Sequence, residues 1–239
     1  MITLAKFKRF LAILDSNTTK DVELQEFIDD AIGEADRIAN RKLEYGSHVV
    51  YVEGNCKNYM FLNQGPVHAI SEIKVWDGED YTDDLFTDSD TVANSIIYPG
   101  GFKVQLLKGY TFSGSLKITF TAGYRYADKW AASKAYLVGN LVLYNGTLYE
   151  CATAHTSATT FAVGSNWTEL NVETPPADLE KAVKFNAAVI FYESPVGEGW
   201  FMKNSSNTGG QSQDGFTIGK DKMVEYYTKT YEAFRIPNF

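Results

Sequence analysis

The chain has 239 residues, 44% of them hydrophobic and 14% aromatic, which is enough to pack a core without disulfide or metal staples. A net charge of −8 argues against a general nucleic-acid coat, which needs clustered Lys and Arg, and does not exclude a surface that lets DNA pass without sticking. Cys56 and Cys151 form no CxxC or His-rich pattern, which speaks against a disulfide framework, and no apolar run is long enough to span a bilayer.

The opening "MITLAKFKRFLAIL" places Leu4, Phe7, Leu11 and Leu14 at helical spacing and carries no small-residue cleavage site. It reads as a helix capped by Thr3 rather than a signal peptide, and the protein as soluble and made in a reducing cytoplasm. After the break "DSNTTKD", Thr18 and Asp21 have capping-box spacing for a second helix running to about Arg41. Its apolar stripe is Leu24, Phe27, Ile28, Ala31, Ala35 and Ile38.

The period then changes to alternation with Gly and Pro punctuation, and residues 47–124 read as one small antiparallel sheet. Within it "AISEIKVWDG" is a strand ending at an Asp-Gly turn, and "GGFKVQLLKG" and "SGSLKITFTAGY" are two more strands. Residues 130–170 follow as an aromatic hairpin unit, in which "YLVGNLVLYNGTLYECATAH" is strand, turn, strand. Asn145-Gly146 fits a type I′ turn, whose central residues both need positive φ.

"TPPADLEKAVKFNAAVIFYESP" starts a third long helix, with Thr174 as cap, Pro175 and Pro176 in the first turn, and a stripe of Leu179, Val183, Ala187 and Ile190. Residues 194–215 read as a flexible Gly/Ser loop. A last helix, about Lys220–Phe234, carries Met223, Tyr227, Tyr231 and Phe234 before the ending "RIPNF".

The order is helices, sheet, insert, helices. The economical fold is α+β: a helical bundle from the N- and C-terminal helices, a projecting antiparallel β-sheet and a small inserted all-β module. Residues 1–128 plus 172–239 then form one domain and 129–171 the insert. The insert's ends lie close together, so Val172–Ala177 continues from Tyr124–Asp128.

Little of the chain points to chemistry. Cys151 and His155 are four residues apart, but a structural zinc wants four ligands and no second pair exists. The carboxylate-rich stretch 77–90 fails the helix–loop–helix calcium pattern and reads as a solvated turn or an acidic rim. No GxSxG, P-loop, HExxH or dinucleotide fingerprint occurs, so no enzyme, metal or cofactor is expected.

The scaffold motifs resemble a known family. "ITLAKFKRFLAI", a polar break, "DVELQEFIDDAIGEADRIANRK", "GPVHAISEIKVWDG", and "FTAGY" followed by "PPADLEKAVKFNAAVIFYESP" come in the order found in tailed-phage head–tail connector (adaptor) proteins. The resemblance implies a virion neck protein, made in the host cytoplasm, that forms a homo-oligomeric ring, typically twelve-fold. Such a ring sits beneath the portal, receives the next tail or neck protein, and passes double-stranded DNA through its centre without specific binding; it touches no membrane. It also implies portal docking by the C-terminal segment, here Tyr231, Phe234, Arg235, Ile236, Pro237 and Phe239.

The insert, with Trp130, Tyr136, "GNLVLYNGTLYEC" and Trp167, resembles the small carbohydrate-binding module of bacterial chitinases. Thr153 and Ala154 stand near where chitin-binding members carry a tryptophan pair. Two readings of Trp130, Tyr136, Tyr144, Tyr149 and Trp167 stay open: stacking faces for a surface glycan, or the core of a module too small to have another. The alternative function is accordingly a carbohydrate-binding adhesion protein of a phage tail or fibre, with a glycan-cleaving enzyme as a weaker third.

Overall fold

The structure is a computed structural model that describes residues 2–86, 95–97, 101–170, 172–197 and 213–235, with side chains from 219 in the last stretch. The chain divides into two compact units, Met1–Arg41 with Pro175–Phe239, and Lys42–Thr174. Helices thus associate with helices from the opposite end of the sequence, while all the strands fall in the second unit.

In the first unit, Thr3 caps α1 (Leu4–Phe10), its Oγ1 accepting the Lys6 N–H at 3.3 Å. The buried Lys8 ammonium of α1 is paired, donating to the Asp21 carboxylate at 2.8 Å and the Asp15 carbonyl at 3.0 Å. Helix α2 (Asp21–Ala39) buries Leu24, Ile28, Ala31, Ala35 and Ala39, with Phe27 and Ile38 half-buried at the margin of the expected stripe. It stops at Asn40, which adopts the left-handed conformation typical of a helix C-terminus.

Two expected caps are corrected. The residue before α2 is Lys20, without a side-chain cap; Thr18 instead offers its carbonyl to the Asp21 N–H at 3.2 Å. Acidic Asp21 and Glu23 in the first turn supply favourable charge there. Helix α3 (Ala177–Glu193) starts after Pro176, one turn inside Thr174, again without a side-chain cap.

Helix α3 buries Leu179, Ala182, Val183, Asn186, Ala187, Ala188, Val189 and Phe191, far more than one stripe. The reason is that it is packed on several sides. Its Phe185 ring meets Phe10 of α1 at 6.0 Å and Tyr226 of α4 (Gln213–Ala233) at 5.4 Å, and its Phe191 meets Phe27 of α2 at 6.0 Å. Polar contacts follow the same pattern: Lys6–Glu180 at 2.9 Å, Asn186–Glu34 at 3.0 Å and Tyr226–Asp178 at 3.1 Å. Helix α4 begins at Gln213, earlier than the sequence indicated; of the expected loop 194–215, residues 195–197 are also helical and residues 198–212 lie outside the described residues.

The second unit contains two antiparallel scaffold sheets where one was expected. The first has the order β1-β7-β3-β4, from β1 (Gly46–Glu53), β7 (Ser115–Ala122), β3 (Val67–Val75) and β4 (Asp83–Asp84). The second has the order β2-β6-β5, from β2 (Tyr59–Phe61), β6 (Lys103–Leu106) and β5 (Ser95–Ile97). Strict alternation along β7 buries Leu116, Ile118, Phe120 and Ala122. The same core takes Met60, Val104 and Leu106 from the second sheet, and alternation alone could not show that two sheets share it.

Gly123, in the "FTAGY" stretch, ends β7 at φ +98°, and a Cβ there would overlap the Glu44 carbonyl oxygen. The close approach allows Tyr124 N–H to reach Leu43 O at 2.8 Å and Tyr45 N–H to reach Tyr124 O at 2.9 Å.

The aromatic module is a sheet of order β13-β11-β10-β8 with a short β9–β12 pair. Its strands are β8 (Asp128–Lys129), β9 (Ala135–Tyr136), β10 (Leu141–Tyr144), β11 (Thr147–Cys151), β12 (His155–Thr156) and β13 (Trp167–Leu170). Strand β8 runs parallel to β10, so the module's pairing begins at Asp128. Its two ends meet where Arg125 N–H donates to Glu173 O at 3.0 Å.

The β10–β11 register, Tyr144↔Thr147, leaves a two-residue turn with φ +49° at Asn145 and +86° at Gly146, as the type I′ reading requires. Gly146→Ala is expected to cost about 1 kcal/mol, because L-residues disfavour that conformation. Thermal melting of the module followed by near-UV circular dichroism checks it; an unchanged melting point would contradict the turn geometry.

Candidate functional site

The five module aromatics converge, but on one another. Tyr136, Tyr149 and Trp167 are buried with Val142 and Cys151, and Trp130, Tyr144 and Phe161 pack half-buried against them. Trp167 meets Tyr136 at 5.1 Å and Phe161 at 5.6 Å; Trp130 meets Tyr144 at 5.8 Å and Phe161 at 5.6 Å. Phe161 stacks on Tyr144 at 4.2 Å and touches Tyr149 at 4.9 Å.

Sequence reasoning missed Phe161, which sits in an aperiodic loop. The polar ends also turn inward. The Tyr136 hydroxyl accepts from Ala131 N–H at 2.9 Å and donates to Ala131 O at 3.3 Å, and Trp130 Nε1 is buried without a hydrogen-bond partner among the described residues. Tyr136, Tyr149 and Trp167 are therefore core residues of the module, while Trp130, Tyr144 and Phe161 stay half-buried at its margin.

Around the absent tryptophan pair, Thr153 and Ala154 are exposed. The Thr153 carbonyl accepts from the Cys151 thiol at 3.1 Å and lies 2.8 Å from His155 Nδ1. Cys151 Sγ and His155 Nδ1 are 3.7 Å apart, and no group of three metal-ligating side chains occurs among the described residues.

Of the C-terminal docking set, Tyr231, Phe234 and Arg235 are among the described residues. Tyr231 is 0% exposed and packs on Tyr227 at 5.6 Å, so its ring lies in the core of the unit. Phe234 is half-buried, with its carbonyl accepting from Arg41 Nε at 3.1 Å and its ring under the Arg41 guanidinium. Arg235 is exposed, and Ile236, Pro237 and Phe239 lie outside the described residues.

An aromatic cluster with two exposed members, Tyr51 and Trp76, lies on the scaffold sheet. Tyr81 contacts Tyr51 and Trp76, each at 5.1 Å between ring centroids. Tyr81 is positioned by the turn after β3. There the Asp77 carboxylate accepts the Glu79 and Asp80 N–H groups at 2.8 and 2.9 Å and the Thr82 hydroxyl at 2.5 Å.

These bonds, the Asp80 N–H first, lower the Asp77 pKa from 3.8 to about 2. A depressed carboxyl stabilises the fold above its unfolded value and loses that contribution as pH falls through the window from 3.8 to about 2. Asp77 should therefore titrate near pH 2 by NMR, and Asp77→Ala should shift Trp76 emission at neutral pH. Titration at the ordinary value would show the turn bonds unformed.

A cleft of about 380 Å³ within the second unit is lined by His68, Thr147, Glu169 and Glu173 among others. His68 Nε2 lies 2.6 Å from the Gly123 carbonyl, a structural bond. No helix among the described residues is long and apolar enough to cross a membrane.

Residues 129–177 match carbohydrate-binding module family 5/12. No curated protein matches the chain. Among solved structures, the fold is similar to that of a chain in the neck of an empty GTA particle computed with C6 symmetry, at 15% identity and TM-score 0.52, covering 100% of this chain and 91% of that one. A chain from the virion of a native gene transfer agent particle is similar at 15% identity and TM-score 0.49, over the same shares.

Proposed function

We propose that the chain is a structural subunit of a phage-like virion neck: one copy in a closed connector ring between the portal and the next tail or neck protein. The observation that supports this reading is a fold similar to that of a neck chain at TM-score 0.52, with 100% of this chain covered. The order of the scaffold motifs agrees with it. In this reading the ring is twelve-fold, and its acidic balance of −8 keeps the DNA channel from holding its contents. The segment from Phe234 onward docks on the portal, with Tyr231 as its buried root. The chain performs no catalysis.

A second reading, glycan binding by the module as part of an adhesion protein, is favoured by the family match over 129–177. Burial of the rings that would stack on sugar weighs against it.

Electron microscopy of the purified chain, alone and mixed with the portal protein of its particle, tests the assembly. Closed rings seated on the portal are expected, and removal of residues 236–239 should weaken seating. A chain that stays monomeric with portal present, or is found on a fibre in intact particles, would overturn the reading. Retention on chitin or cell-wall glycan would move the assignment to adhesion.

A further inference from the structure

The edge of the four-stranded sheet is built to accept another strand. Strand β1 pairs only with β7 among the described residues, which leaves its other side unpaired. Gly54 N–H donates to Gly114 O at 2.7 Å, one step beyond the Glu53↔Ser115 pair. Alternation along an antiparallel ladder then turns the main-chain groups of Val52, Val50 and His48 inward to β7. Those of Ser47, Val49, Tyr51 and Glu53 point off the edge.

These four residues are also the exposed ones, Val49 at 51% and Tyr51 at 61%. A straight eight-residue edge with an exposed aliphatic and an exposed aromatic side chain is the kind that soluble proteins normally blunt with Lys, Pro or a bulge. Both bulges of this sheet lie in the β3–β7 pair instead.

The chemistry beside the edge favours one kind of occupant. Tyr51 continues into the Tyr81–Trp76 cluster, with Trp76 at 44% exposure. Exposed Glu53 lies two residues along β1 from Tyr51, and exposed Asp77, Glu79 and Asp80 lie in the turn between Trp76 and Tyr81. Of the cations on the same sheet, Lys74 is held by Asp84 at 2.9 Å and lies 3.9 Å from Glu72, while Lys117 stands opposite Tyr51. Carboxylates therefore outnumber cations around three ring faces, and ring faces attract ammonium and guanidinium groups.

We propose that β1 is a β-addition site for an extended segment of a partner polypeptide bearing Lys or Arg. The partner's main chain would pair with Ser47–Glu53, and its basic side chains would lie over Tyr51, Tyr81 and Trp76. The site does not depend on the neck assignment, so each can fail without the other.

The test uses the full chain and two synthetic probes, an alternating Val-Lys decapeptide and its Val-Glu counterpart, read by Trp76 emission and by amide NMR shifts along β1. The Val-Lys peptide should bind saturably and more weakly as salt rises; the Val-Glu peptide should not bind. Val49→Pro removes an N–H that points off the edge and leaves the β7 pairing intact, so it should preserve melting while weakening binding by about tenfold or more. Tyr51→Ser should weaken binding similarly, with the fold unchanged.

Equal binding of both peptides, or full binding by Val49→Pro, would overturn the proposal. So would concentration-dependent self-association abolished by Val49→Pro without peptide binding, which would assign the edge to a second copy.

Discussion

Tyr231→Ala should lower the stability of the helical unit by about 3–5 kcal/mol, the range for deleting a large aromatic from a closed core. Tyr231 is 0% exposed in the last turns of α4, against Tyr227 at 5.6 Å. Among the described residues its hydroxyl has no hydrogen-bond partner, and the amide of Asn186 donates to Glu34 at 3.0 Å. Tyr231→Phe should therefore be nearly neutral, since it removes a buried polar group that gains little from folding.

Burial pushes the Tyr231 hydroxyl well above its usual pKa of 10, with Asn186 offsetting part of the shift. The unfolded chain loses that proton first, so stability should fall as pH rises above 10, and less steeply in Tyr231→Phe. Denaturation followed by far-UV circular dichroism measures all three. A Tyr231→Ala chain with unchanged melting but lost portal seating would return Tyr231 to the docking surface.

Trp167→Ala should cost about 3–5 kcal/mol and act on the module rather than the helices. The indole is 6% exposed and is enclosed by Tyr136 at 5.1 Å, His155 at 5.0 Å and Phe161 at 5.6 Å. In a module this small, one such ring is a large share of the buried apolar area. The expected result is loss of the near-UV aromatic signal and of dispersed NMR resonances between residues 130 and 170, while far-UV helical signal persists. Because the chain has two compact units, the melt should be analysed as two transitions. A Trp167→Ala chain that keeps its fold but loses affinity for a sugar would restore the stacking-platform reading.

The parts legible in the sequence were those with a strong local signature. The 3.6-residue stripe of α2, the two-residue period of β7 and the positive-φ pair Asn145-Gly146 each follow from backbone geometry that neighbours in sequence determine. The closeness of the insert's ends was legible as well, because the flanking segments read through it.

What was not legible depended on partners far along the chain. Thr18 and Thr174 have cap-forming side chains, but where a helix starts is decided by tertiary packing of its first turn. The stripe at Met223, Tyr227 and Tyr231 has the same spacing whether it faces a partner or its own core, and only the fold shows Tyr227 and Tyr231 buried. Tyr51 lies far in sequence from Trp76 and Tyr81, and only the pairing of β1 and β3 with β7 and the Asp77 turn bring the three together.

The hydrogen bond from Arg125 to Glu173 returns the polypeptide to the point it left, with the intervening strands closed upon themselves. A detour anchored this way is exchangeable cargo. Evolution could swap it for another insert, or an engineer for an epitope or an affinity tag, without re-threading a single strand of the sheets that carry it.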